Sequence, residues 1–185
     1  SLVLCDADGN VLEGDNEVED TAFYIHSRIH VNVPSAVVVM HTHMPYATSL
    51  TLLENGRLEM CEQNALMFDE RIAYDDDYDG LALDASEGDR MASKMGNRSV
   101  LFLASHGVVV TADSVARAFT DLYYLERAAM FQVHARSTGA PLRSISDTVR
   151  EKTRQQMADD LPKLAERHFT ALTRILDREE PGYQH

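Results

Sequence analysis

Three histidines carry the chemistry that can be read from this 185-residue chain. His41 and His43 stand two apart at the end of the apolar run Ala36-Val37-Val38-Val39-Met40, and His106 follows a second apolar run, Val100-Leu101-Phe102-Leu103-Ala104. Side chains two apart on an extended strand project from the same face, so the imidazoles of His41 and His43 can converge on one cation while Thr42 points away. His106, just past another strand, can bring a third nitrogen to the same sheet edge. Read singly, each of these is better explained as a hydrogen-bonded core histidine. Together they match an open catalytic site: three neutral imidazoles, with the remaining position left for water or substrate.

A divalent cation so held, chelated by a carbonyl oxygen and an adjacent hydroxyl, acts as a Lewis acid and stabilises the enediolate left when a carbon–carbon bond breaks. Aldol cleavage, epimerisation by cleavage and re-addition, and decarboxylation of a keto acid all pass through such an anion. The histidines therefore select a class of chemistry and leave the substrate open. They also leave the metal open, since three imidazoles accept Zn, Co, Ni or Fe.

Strands alternating with helices must position these groups. The apolar segment Ser1 to Cys5, the turn residues Asp6-Ala7-Asp8-Gly9-Asn10 and then Val11-Leu12 predict a hairpin. Apolar positions spaced three or four apart predict an amphipathic helix from Asp20 to Asn32, ending before Pro34. A strand over 37–40 follows, then a helix opened by Pro45 and stopped by Asn55-Gly56. Leu58-Glu59-Met60 reads as a strand, 63–70 as a short helix, Ile72-Ala73-Tyr74 as a strand, and Asp75 to Gly80 as a solvated acidic loop. A helix over 86–95 closes at Gly96-Asn97. The runs 100–104 and 108–110 read as strands, and a long helix capped by Asp113 or Ser114 continues to about Thr138. Two further helices, 146–160 and 162–176, complete a mixed α/β chain with a sheet between helical layers.

Composition narrows the partners. Seventeen Lys and Arg against thirty Asp and Glu give a net charge of −13, which repels phosphate polymers and anionic lipid, so neither nucleic acid nor membrane is expected. Cys5 and Cys61 lack paired metal spacing and fit a reducing cytoplasm.

The segments His41-Thr42-His43-Met44-Pro45-Tyr46-Ala47, Ala22-Phe23-Tyr24-Ile25-His26-Ser27, Ser105-His106-Gly107-Val108-Val109 and Tyr123-Tyr124-Leu125-Glu126-Arg127-Ala128-Ala129 together resemble the class II aldolase/adducin family, over roughly 1–139. The resemblance implies a three-layer α/β/α fold with a central, mostly antiparallel sheet, a divalent ion that is zinc in the best-known members, and a homotetramer with sites between subunits. By that match His41, His43 and His106 are the metal ligands. Tyr74 matches a tyrosine that reaches the neighbouring subunit's site as a proton donor, a role suited to a phenol; it reads equally well as a sheet-edge aromatic. His26 and His30 read as structural or supporting groups.

Departures from the family matter as much. The family's acid/base carboxylate falls here on Ala22, which cannot move a proton, and the phosphate-binding serines are replaced by Glu19-Asp20-Thr21, whose carboxylates would repel a phosphate. Glu19 and Asp20 are minor candidates for the missing acid. The chain also starts partway into the family domain, which suggests a piece of a longer protein. Residues 1–185 are expected to form one domain, incomplete at its N-terminus, with a helical extension from about 140. The functional expectation is a metal-dependent lyase or epimerase acting through a metal-stabilised enediolate on a small, sugar-like hydroxy-carbonyl substrate, rather than a standard sugar-phosphate aldolase. The alternative is a non-catalytic, adducin-like binding or scaffold protein.

Overall fold

The computed structural model describes residues 2–183; Ser1, where the first strand was expected to begin, lies outside them. β1 (Leu4–Cys5) and β2 (Val11–Glu13) form the expected antiparallel hairpin, which stands apart from the main sheet. Its turn is tied by the Asp6 carboxylate, which accepts the backbone N–H groups of Asp8 and Asn10, each at 2.9 Å.

The main sheet contains β3 (Val38–Thr42), β4 (Ile72–Asp75), β5 (Val100–Leu103) and β6 (Gly107–Ala112), in the order β3-β6-β5-β4. The β3–β6 and β6–β5 pairs are antiparallel and β4–β5 is parallel, so the sheet is mostly antiparallel, as expected. Helices α1 (Asp20–Asn32) and α3 (Ala85–Met95) cover one face, packing Ile25, Ile29, Met91 and Met95 against Val39, Leu101 and Val109. The other face, with Val100, Phe102, Val108 and Val110, is covered by Leu50 of α2 (Pro45–Thr51), Leu122 and Leu125 of α4 (Val115–Arg136) and Leu161 of α5 (Asp147–Glu179). Side chains buried this completely are each worth ~1.5–3 kcal/mol relative to exposure. The chain thus has the three-layer α/β/α arrangement.

Paired residues on neighbouring strands share a face, which fixes where functional groups point. His41 stands opposite Val109 and so belongs to the α1/α3 side; Tyr74 stands opposite Phe102 and belongs to the α2/α4/α5 side.

Several local expectations are corrected. Leu58-Glu59-Met60 is not a strand, because side chains take over its backbone groups. Glu59 N–H donates to Gln132 Oε1 at 2.7 Å, Gln132 Nε2 donates to the Arg57 carbonyl at 2.7 Å, and Leu58 N–H donates to the Tyr74 hydroxyl at 3.1 Å. The 63–70 helix contracts to a 3₁₀ turn, Ala65–Phe68, with all four residues buried. The two terminal helices are one 33-residue helix that runs through Pro162. Proline costs such a helix an N–H donor and strain, ~3 kcal/mol, but Leu161 and Ala165 on either side of it are buried. That packing outweighs the local break.

The acidic run is an exposed loop over 76–79, as expected, but its first residue, Asp75, ends β4 and is buried. Asp75 is fully buried and ion-paired with Arg90 and Lys94, Asp77 with Lys94 at 3.1 Å, and Asp76 with Arg57 at 2.7 Å. Asp75 needs its cations because it is buried, whereas the Asp76 and Asp77 side chains, 65% and 63% exposed, remain solvated beside theirs.

Candidate metal centre

Strand alternation places His41 within β3, on the α1/α3 side, while His43 sits one residue past the strand, just before the helix start at Met44-Pro45. That start is held from across the fold: the Glu126 carboxylate on α4 accepts the N–H groups of Tyr46 at 2.9 Å and Ala47 at 2.8 Å. A carboxylate at a helix N-terminus satisfies orphan donors and complements the helix dipole. His106 sits in the turn between β5 and β6. Ser105, in the left-handed region at φ 55°, turns the chain there, and its N–H donates to the Thr51 carbonyl at 3.1 Å.

The three rings form a nearly regular triangle. Centroids lie 5.0 Å apart for His41–His43 and 4.7 Å for both His41–His106 and His43–His106. One ring nitrogen from each lies within 4.8 Å of the others, and the Nε2 atoms of His41 and His43 are 3.1 Å apart. Two nitrogens each bound to one tetrahedral zinc are separated by roughly 3.3 Å, so the cluster is already near the spacing a cation needs. Gly107 makes this convergence sterically feasible. A Cβ there would lie 2.5 Å from the Thr42 carbonyl oxygen and 2.8 Å from Cδ2 of His43.

The electrostatics also suit a cation. Burial is the largest of the effects that push the His41 imidazole down to about 4; His106, His43 and His26 add to it, against the opposing hydrogen bond that the ring donates to the Val108 carbonyl. Burial first, then His43, likewise lowers His106. Both rings are therefore neutral near pH 7, as ligands must be. The contact between His41 Nδ1 and the Val108 carbonyl, 3.1 Å, requires Nδ1 to carry the proton and leaves Nε2 free to face the cluster. Geometry, tautomer and protonation all fit a divalent ion.

Other residues singled out from sequence take different places. The Tyr74 ring packs on Phe102 at 5.4 Å with the Arg57 guanidinium 4.2 Å from its centroid, and its hydroxyl accepts from Leu58. Burial raises this phenol's pKa. Within one chain Tyr74 is on the opposite sheet face from His41. Glu19 is spent as the N-cap of α1, accepting from Ala22 N–H at 2.7 Å, and the hydroxyl of Thr21 donates to it, which lowers its pKa. Ala22 is exposed. His30 Nδ1 meets the Ala36 carbonyl at 2.7 Å and is structural. His26 is half-buried, close enough to His41 to depress it, and hydrogen-bonds to no other described residue.

Sequence reading missed four groups here. Gly107 and Glu126 shape the site, Tyr78 packs its ring 6.3 Å from that of His106, and Glu87 lies near enough to oppose the lowering of His106. Glu87 is itself paired with Arg90. Gly107 and Glu126 stand within segments that carry the family resemblance, but their spacing in the chain does not show what they touch.

Known proteins agree with this architecture. Residues 1–133 match the family model described as Class II Aldolase and Adducin N-terminal domain. A Caulobacter vibrioides protein with a provisional aldolase class 2 name is 30% identical over 185 residues, covering 99% of this chain and 71% of that protein. Decarboxylase NovR from Streptomyces niveus is 28% identical over 155 residues, 83% of this chain and 57% of its own length. The crystal structure of an aldolase II superfamily protein from Pseudomonas syringae superposes with a TM-score of 0.90 at 30% identity, over 99% of this chain and 74% of that one. The chain belongs to the class II aldolase and adducin N-terminal domain family.

Proposed function

We propose that this chain is a divalent-metal-dependent lyase or epimerase acting on a small, unphosphorylated hydroxy-carbonyl compound, with His41, His43 and His106 as the ligands and zinc as the ion. The observation that carries the reading is the convergence of three imidazoles, two of them held neutral, on a common point. When bound, the ion would supply Lewis acidity toward a carbonyl oxygen and the neighbouring hydroxyl.

The chain's own residues do the rest. The Val108 carbonyl fixes the His41 tautomer, and Glu126 anchors the turn that carries His43. Glu19 and Glu87 are committed to a cap and an ion pair, and His26, which hydrogen-bonds to no other described residue, is offered as a group that accepts a substrate proton at a ring nitrogen. Tyr74 belongs to the proposal as the proton donor to a second subunit's site in a homotetramer. The family match and the decarboxylase relative support lyase chemistry without naming a substrate. We also read 1–185 as one domain of a cytoplasmic protein with a helical extension from about 140; the free Cys5 and Cys61 favour that compartment. Among the described residues, no helix is long and apolar enough to cross a membrane.

Ala22 favours a second reading, an adducin-like scaffold without turnover. Metal content separates the two: stoichiometric zinc that is lost in His43→Ala supports the enzyme, and folded, metal-free protein refutes it. A panel of hydroxy-carbonyl compounds assayed for aldehyde, carbon dioxide or epimer then identifies the reaction. No turnover with zinc fully bound favours the scaffold.

A further inference from the structure

Beside the histidine cluster, the exposed segment 76–80 after β4 is tied at its start by three cationic side chains. Arg57 pairs with Asp76, Lys94 with Asp77, and Arg90 donates to the Asp77 carbonyl at 3.3 Å while also pairing with the buried Asp75. These contacts come from α3 and from the segment before the 3₁₀ turn, so the start of the loop is tied from both sides. What it presents is Tyr78, 51% exposed, with its ring edge-on to His106 at 61° and 6.3 Å between centroids. The Tyr78 hydroxyl hydrogen-bonds to no other described residue. An exposed aromatic on this loop, next to a ligand candidate and with a free hydroxyl, has no structural partner that explains it.

We propose that Tyr78 is a substrate-contacting residue of the cluster, forming a wall on the His106 side that receives a flat, uncharged part of the substrate next to its chelating oxygens. This deepens the function proposed above and rests on it. Each cation that ties this loop, Arg57, Arg90 and Lys94, is already paired with a carboxylate. The loop therefore offers a phenol ring and one hydroxyl, and no free positive charge for a phosphate. A ring face recognises planar groups by offset stacking or edge contact, and the hydroxyl can donate to an oxygen of the bound compound. The substrate class is a hydroxy-carbonyl compound bearing an aryl or similarly flat neutral substituent.

The test uses the zinc-loaded full chain and two chelators that present vicinal oxygens, acetohydroxamate and benzohydroxamate, titrated by calorimetry against wild type, Tyr78→Phe and Tyr78→Ala. Wild type should prefer the aryl probe by about tenfold. Tyr78→Ala should bring the two probes within about twofold of each other, and Tyr78→Phe should keep the preference while weakening both probes several-fold through the lost hydroxyl. Zinc content should be the same in all three proteins. An aryl preference retained in Tyr78→Ala overturns the proposal. Wild type that binds zinc but neither chelator overturns it too and leaves the metal reading standing; a chain that takes up no zinc removes both.

Discussion

Gly107→Ala offers the most exacting check on how the cluster is built. A methyl at this position would sit 2.5 Å from the Thr42 carbonyl oxygen and 2.8 Å from Cδ2 of His43, against ordinary contact from 3.4 Å upward. The oxygen would have to retreat by about 0.9 Å and the ring by about 0.6 Å. Neither move is free, because Thr42 pairs with Val108, the residue next to Gly107, at the end of the β3–β6 ladder. Overpacking of this kind costs ~1–3 kcal/mol, which for a chain of this size lowers the melting temperature by roughly 2–12 °C. The effect on metal should be larger than the effect on fold. Metal sites tolerate ligand displacements of about 0.2 Å, and disturbing the groups that orient a ligand costs about 10–100-fold in affinity. Zinc affinity measured by competition with a colorimetric chelator, together with calorimetric melting with and without zinc, reads both quantities. Gly182→Ala, where a methyl meets nothing within 4 Å, is the comparison. A Gly107→Ala protein that binds zinc within about twofold of wild type would refute the claim that this glycine admits His43 to the cluster.

Two further outcomes follow from other contacts. Glu126→Gln removes the charge and one acceptor from the start of α2 and should lower stability in urea by ~1–3 kcal/mol, with weaker zinc binding; an unchanged urea midpoint would contradict the capping role. Burial, and secondarily His30, hold the His26 imidazole below its ordinary 6.5, so the metal-free fold gains from the neutral ring above pH 6.5 and loses that contribution as pH falls toward the lower folded value. His26→Gln should therefore melt with a shallower pH dependence below 6.5, and identical slopes for the two proteins would dismiss the effect.

The sequence by itself determined the local features of this protein. The period of two placed His41 and His43 together, the apolar runs located the strands that precede or bear them, the spacing of apolar residues located α1 and α4, and Gly96-Asn97 marked the end of α3. The cap of α4 was legible as Asp113 or Ser114 because capping acts within three residues, and Ser114 takes it, accepting from Arg117 N–H at 3.3 Å. Tertiary structure decided whatever depends on two distant segments meeting. Which face Tyr74 shares with His41 follows from register across the whole sheet, and it is the opposite one. Asp75, Asp76 and Asp77 find ion-pair partners only because Arg57, Arg90 and Lys94 arrive from other elements, and α5 continues through Pro162 because Leu161 and Ala165 are buried by the rest of the chain. Gln132, 73 residues away from Glu59, replaced a strand ladder with two side-chain hydrogen bonds. Spacing along the chain sets which side chains share an element, but only packing sets which elements share a site, and so the three converging histidines were readable from their strands while the contacts made by Gly107 and Glu126 were not.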